Sequence, residues 1–202
     1  MLFRVRHVTR YSYAARVTSC YNLANIVPRD TEHQRCLSSK ITVNPLPAMA
    51  NTRTDYFGNK AYHFEIQRAH KELVITADSE IRVAPRNPEP NLDFGISYSQ
   101  ALEFLKNDRS QATLEAIEYT LDSPMIETGE ELAAYARPSF DADRPLNSCV
   151  ADLTSRIHSD FAYDPNFTTI ATPLSEVMEH RRGVCQDFAH LQVGCLRSMG
   201  IA

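Results

Sequence analysis

Tryptophan is absent from the sequence, which alone decides nothing; other absences decide more. No stretch approaches the roughly 18 consecutive apolar residues that a membrane span needs, so no membrane partner is expected. The start, Met1-Leu-Phe-Arg-Val-Arg-His-Val, alternates apolar with charged residues and lacks the continuous apolar core of a signal peptide. There is no low-complexity tract, no internal repeat, no nucleotide-binding loop and no metal-ligand cluster, so neither a cofactor nor a metal is expected. None of the five cysteines (Cys20, Cys36, Cys149, Cys185, Cys195) pairs as C-x-x-C or lies at ligand spacing from a histidine. Reduced thiols in a cytoplasmic setting fit that pattern, most of them buried as small hydrophobes.

The chain that remains has 202 residues, 43% hydrophobic and 23% charged, which is enough for one large or two small hydrophobic cores. Its net charge of -4 is unevenly spread. Residues 1–86 hold 13 Lys+Arg against 7 Asp+Glu, a net of +6, and the remainder holds 8 against 18, a net of -10. Such asymmetry hints at two units of opposite charge that attract each other. The arginines of the basic half alternate along strands instead of clustering on one helix or loop, so no nucleic-acid partner is expected.

The hydrophobic period changes along the chain. Phe3, Val5, His7, Thr9, Tyr11 and Tyr13 share one face of a period-2 pattern, and Leu73, Ile75, Ala77, Ile81 and Val83 repeat it. Ile41/Val43 and Tyr62/Phe64/Ile66 lie between, separated by turn chemistry at Asn44-Pro45, Pro47 and Phe57-Gly58-Asn59-Lys60. Residues 1–85 therefore read as a small antiparallel β-sandwich, expected to serve in support or docking. Residues 86–97, with prolines at 88 and 90 and Gly95, read as a linker. Beyond them the period lengthens. Ser97 suits a helix cap, 115–121 fits either a short strand or a helical turn, and 130–136 fits a helix. Pro145 and Pro173 suit first helical positions, for helices running to about 160 and about 180. A last helix spans Cys185 to Met199, with Gly200 as its C′ residue.

That helix carries the chemistry. Val184, Phe188, Leu191, Cys195 and Met199 form one stripe, extended by Ala189, Val193 and Leu196, so most of it belongs to a core. Its first turn differs: Gly183 permits a sharp entry, and Cys185 sits at the helix N-terminus followed by Gln186 and Asp187. Unpaired N–H groups and a partial positive charge there favour thiolate over thiol and can stabilise an oxyanion on a carbonyl under attack. A lone cysteine at such a position is otherwise a small residue packing a helix start.

The string Arg182-Gly183-Val184-Cys185-Gln186-Asp187-Phe188-Ala189-His190, with Leu196-Arg197-Ser198-Met199-Gly200-Ile201, resembles the nucleophile segment of the transglutaminase-like superfamily. Asn22-Leu23, Pro28-Arg29-Asp30 and Asp55-Tyr56-Phe57-Gly58-Asn59 resemble the separate bacterial domain that precedes this core, and Phe161-Ala162-Tyr163-Asp164-Pro165 resembles a segment upstream of the nucleophile. The resemblance implies an α+β fold: a β-sandwich at 1–85, then from 98–202 the helical front part of a papain-like core. It also implies attack of Cys185 on an amide carbonyl of a protein or peptide substrate, giving a thioester that water or an amine resolves.

By the same resemblance a His in a His-Ala-Trp-like strand and an orienting Asp follow the nucleophile helix. Neither motif occurs in the seventeen residues after Cys185. The expectation is an N-terminal portion of such an enzyme, inactive as these residues alone; the alternative is a non-catalytic scaffold with a relic nucleophile. Among residues present, His190 is rotated by about 140° and displaced by about 7.5 Å along the helix from Cys185, out of reach of the sulfur. His158 and His180 are free candidates for a base, each more simply a surface or helix-end histidine. Tyr163 could contribute a hydroxyl near the oxyanion, and Gln186 and Asp187 could support the site, Asp187 at the helix start. Without the strands that follow in this family, the apolar face of the Cys185 helix is expected to lie exposed and to lead to aggregation, to self-association that hides it, or to reliance on the sandwich as a cover.

Overall fold

A computed structural model describes residues 1–85, 91–169 and 172–202, and the chain divides into two compact units, Met1–Glu89 and Pro90–Ala202. The first unit holds six strands: β1 (Leu2–Val17), β2 (Cys20–Ala24), β3 (Gln34–Asn44), β4 (Met49–Thr54), β5 (Lys60–Ile66) and β6 (His70–Val83). They form two antiparallel three-stranded sheets, ordered β1-β6-β3 and β2-β5-β4. Val43, Leu73 and Ile75 of one sheet pack with Phe64 and Ile66 of the other, so the apolar faces meet as in a sandwich.

The alternating face of β1 sits opposite that of β6, with Phe3, Val5, His7, Thr9 and Tyr11 paired to Ile81, Ser79, Ala77, Ile75 and Leu73. Because β1 is an edge strand, Phe3, Val5 and Tyr11 stay about half exposed while their β6 partners are buried. On the opposite face the β1 arginines meet β6 carboxylates: Arg6 Nε donates to Asp78 Oδ1 at 2.6 Å and Arg10 Nη1 to Glu72 Oε1 at 2.7 Å. Arg6 and Arg10, two of the positive charges read from the sequence, are thus held in cross-strand pairs. Strands β2 and β4 carried no alternating apolar signal, and every residue of β4 is exposed. The turn before β5 forms where Asp55 accepts from the Asn59 backbone and side-chain N–H groups and Gly58 takes φ 81°.

In the second unit come α1 (Tyr98–Asn107), α2 (Gln111–Glu118), α3 (Glu130–Ala136), α4 (Leu146–Asp160), β7 (Ala162–Tyr163), α5 (Leu174–His180), β8 (Arg182–Gly183) and α6 (Cys185–Ser198). Ser97 caps α1 through a reciprocal bond pair with Gln100. The ambiguous segment at 115–121 resolves as the end of a helix begun earlier, at Ser110, whose hydroxyl accepts from Thr113 N–H. Pro145 and Pro173 are N-caps, one position outside the helices they were expected to open. The expected linker is only partly describable, since 86–90 lie outside the described residues. Its later part packs on the second unit, where Ser148 Oγ donates to Leu92 O at 2.8 Å and to Asp93 Oδ1 at 2.9 Å.

The second core gathers around α6. Leu191 and Cys195 are fully buried, with Phe188, Leu196 and Met199 packed partly against Leu132, Leu153, Val177 and their neighbours. This corrects the expectation of an uncovered stripe: α3, α4 and α5 of the same unit cover it. The close approach of α3 depends on Gly194, where a Cβ would stand 2.9 Å from Leu132 Cδ1 and 3.1 Å from Glu127 O. Of the extending positions, only Ala189 is exposed, and Val193 is half-buried. The helix ends in a Schellman turn: Ile201 N–H donates to Leu196 O, Gly200 N–H to Arg197 O, and Gly200 takes φ 78°.

Candidate active site

Cys185 is the first residue of α6 and the one exposed thiol among the five free cysteines. Burial separates it from Cys149, whose thiol is pushed up from its ordinary value, and from Cys195, whose thiol is pushed up to about 12. Cys36 is half-buried, and burial together with the nearby Asp30 carboxylate raises its thiol as well.

The helix start around Cys185 is open. The first intrahelical bond runs from Phe188 N–H to Val184 O at 3.1 Å, so the N–H groups of Cys185, Gln186 and Asp187 have no partner within the helix. An N-cap residue normally offers an oxygen to those groups, and Val184 has none to offer. Asp187 acts in the other direction: its Oδ2 accepts from Val184 N–H at 2.8 Å, closing the entry turn behind the cysteine. Asp187 is buried, and Oδ2 also accepts from Thr168 Oγ1 at 2.6 Å. The carboxylate lies so close to the entry turn that a Cβ on Gly183 would fall 2.8 Å from Oδ2. Glycine is required there by space; its φ is not in the left-handed region.

The strand before the nucleophile is fixed on both sides. β7 runs parallel to β8 and pairs Tyr163 with Gly183, two residues before Cys185. Ala162 N–H donates to Arg181 O at 2.8 Å and Asp164 N–H to Gly183 O at 2.9 Å. Upstream, Arg181 caps α5 in the left-handed conformation (φ 54°), and its guanidinium lies 4.9 Å from the ring centres of both Tyr135 and Phe161. Phe161 in turn meets Phe188 edge-on at 6.0 Å. Burial, then the hydrogen bond it donates to Asp160, pushes the Tyr135 hydroxyl well above its ordinary range, so it stays a neutral phenol.

The other residues singled out from sequence distribute as follows. Gln186 is exposed on the first turn, and Tyr163 is 66% exposed on β7 with its backbone beside Gly183. His190 is half-buried on α6. His158 is exposed near the end of α4, and His180 ends α5 with its ring against Phe167 at 5.3 Å. Among the described residues no group of three or more His, Cys, Asp or Glu could hold a metal ion. Sequence reasoning missed Thr168 and Arg181. Thr168 lies nineteen residues from its partner Asp187, in a stretch without helical or strand period, and left no signal.

The chain is similar to known proteins over both units. The family model for the bacterial transglutaminase-like N-terminal region matches residues 3–82, and that for the transglutaminase-like superfamily core matches residues 133–202. Uncharacterized proteins of Mycobacterium tuberculosis and Mycobacterium bovis are each 40% identical over 200 residues, covering 99% of this chain and 63% of theirs. A Mycobacterium leprae protein is 28% identical over 98% of this chain and 67% of its own length. The chain thus spans about 63% of the length of the first of these relatives. In fold, it matches a crystal structure of a candidate cysteine protease from Cytophaga hutchinsonii with a TM-score of 0.71 at 17% identity, over 99% of this chain and 66% of that one. An α+β chain with a sandwich under one of these models and an exposed helix-start cysteine under the other belongs to the transglutaminase-like superfamily.

Proposed function

We propose that this chain is the N-terminal portion of a cysteine enzyme that transfers or hydrolyses acyl groups of protein or peptide amides through a thioester on Cys185. The observation that carries the reading is the exposed thiol on a helix start whose N-cap has no side-chain acceptor. The sulfur attacks the carbonyl carbon, the carbonyl oxygen takes the negative charge beside the free N–H groups of the first turn, and the amine leaves with a proton. Water or a second amine then resolves the thioester. On this reading Tyr163 and Gln186 meet the acyl group; both are exposed, and Tyr163 pairs with Gly183, two residues before Cys185.

The general base and its orienting carboxylate come, on this reading, from a part of the core outside residues 1–202, so these residues alone are not expected to turn over. The share of the mycobacterial relatives that the chain spans supports that division. Five unpaired thiols suit a reducing, cytoplasmic setting. The cross-strand pairing of the β1 arginines supports a peptide partner over nucleic acid.

The test uses the longest open reading frame containing this chain. Cys185→Ala should abolish both ammonia release from glutamine peptides and amine incorporation into them. Unchanged turnover in that variant would sink the assignment and leave a scaffold role as the better account.

A further inference from the structure

The nucleophile helix is tied to the turn that follows β7 by one side chain. After Tyr163 the chain folds back: Asn166 N–H donates to Asp164 Oδ1 at 3.0 Å and Phe167 N–H to Asp164 O at 3.3 Å. The Arg182 guanidinium lies 5.1 Å from the Phe167 ring centre and 3.7 Å from Asp164 Oδ2. The turn therefore rests on β8, with Asp164 N–H on Gly183 O at its near end. At its far end Thr168 delivers a hydroxyl to the Asp187 carboxylate, on the same oxygen that accepts from Val184 N–H.

We propose that Thr168 is a positioning residue for Cys185, resting on the reading of Cys185 as the nucleophile. A buried carboxylate must have its lone pairs satisfied, and at a helix start the nearest unused donors are the first-turn N–H groups. Those of Cys185 and Gln186 are the groups the proposed oxyanion needs. With Thr168 and Val184 both donating to Oδ2, the carboxylate is held on the entry turn and those groups stay open. Without the hydroxyl, Asp187 is one donor short and turns toward the first-turn N–H groups, placing its negative charge beside the Cys185 sulfur. The hydroxyl thus sets how reactive Cys185 is without touching the sulfur.

A crossed pair of substitutions separates this from packing. Thr168→Val keeps the methyl and loses the hydroxyl; Thr168→Ser does the reverse. In the folded chain, iodoacetamide is applied at one pH, and the modification rates of Cys185 and Cys36 are followed by peptide mapping in the same sample. The expected result is that T168V slows Cys185 by roughly tenfold with Cys36 unchanged, while T168S stays within about twofold of the parent. Equal Cys185 rates in T168V and the parent overturn the proposal. So does a T168S chain that loses the Cys185 rate, which makes the methyl the active part and keeps the test decisive even where T168V does not fold. A parent chain in which Cys185 reacts no faster than Cys36 overturns the nucleophile reading itself, and this inference with it.

Discussion

The two ends of one short helix treat the same side chain in opposite ways. Cys185 opens α6 and is exposed; Cys195, ten residues on, is fully buried among Leu132, Leu153 and Leu191. Nothing in the cysteine itself differs. At the first turn the sulfur meets N–H groups that have no partner within the helix and the positive end of the helix dipole. Toward the other end of the helix the N–H groups are bonded within the helix, the surroundings are apolar, and the neutral thiol is favoured strongly. A helix rooted in a core by its middle can thus hold its first turn rigid and open, which is what a nucleophile needs from its scaffold.

That contrast can be broken at several strengths. The largest effect is expected in the native chain, where Cys195 should be alkylated ~10³-fold more slowly than Cys185, because it reacts only through opening of the core. Mass mapping of a time course reads the ratio, and comparable rates would mean that α6 is not rooted as described. Next, Leu191→Ala removes a fully buried side chain beneath the middle of the helix and should cost about 2–5 kcal/mol in urea unfolding. A loss well under about 1 kcal/mol would show that the stripe is not a packed core. The smallest effect is the alkaline one. The Cys195 thiol is raised in the folded state, so the stability tied to its neutral form is complete below the unfolded thiol range. It is lost as pH rises from about 9 toward about 12. Cys195→Ala should be less stable at neutral pH yet show a flatter fall of stability over that window, measured by denaturant melts at stepped pH. An unchanged slope would place the alkaline titration on other groups.

Legibility differed between the two units for a physical reason. In the sandwich, β1, β6 and the apolar positions of β5 were readable because their period is two, and in β5 and β6 the apolar face is also buried. Strands β2 and β4 were not, since β4 is exposed throughout and its residues carry no alternation. In the second unit the helix caps at Ser97 and Gly200 announced themselves locally, whereas α2, with no buried residue, was assigned only in part. The expected exposure of the α6 stripe failed because the covering surfaces on α3, α4 and α5 come from separate short segments, whose packing together no single periodicity reveals.

What the sequence determined by itself was the local grammar: the change of period near residue 90, the glycine-led entry to α6, and a cysteine on its first turn. These follow from neighbours within a few residues, and steric and hydrogen-bonding rules act at that range. The tertiary structure alone decided which of five thiols is open to attack, which hydroxyl restrains Asp187, and which two rings hold Arg181. Those depend on contacts across 19 residues in one case and 46 in another, between positions whose meeting is set by the packing of whole elements.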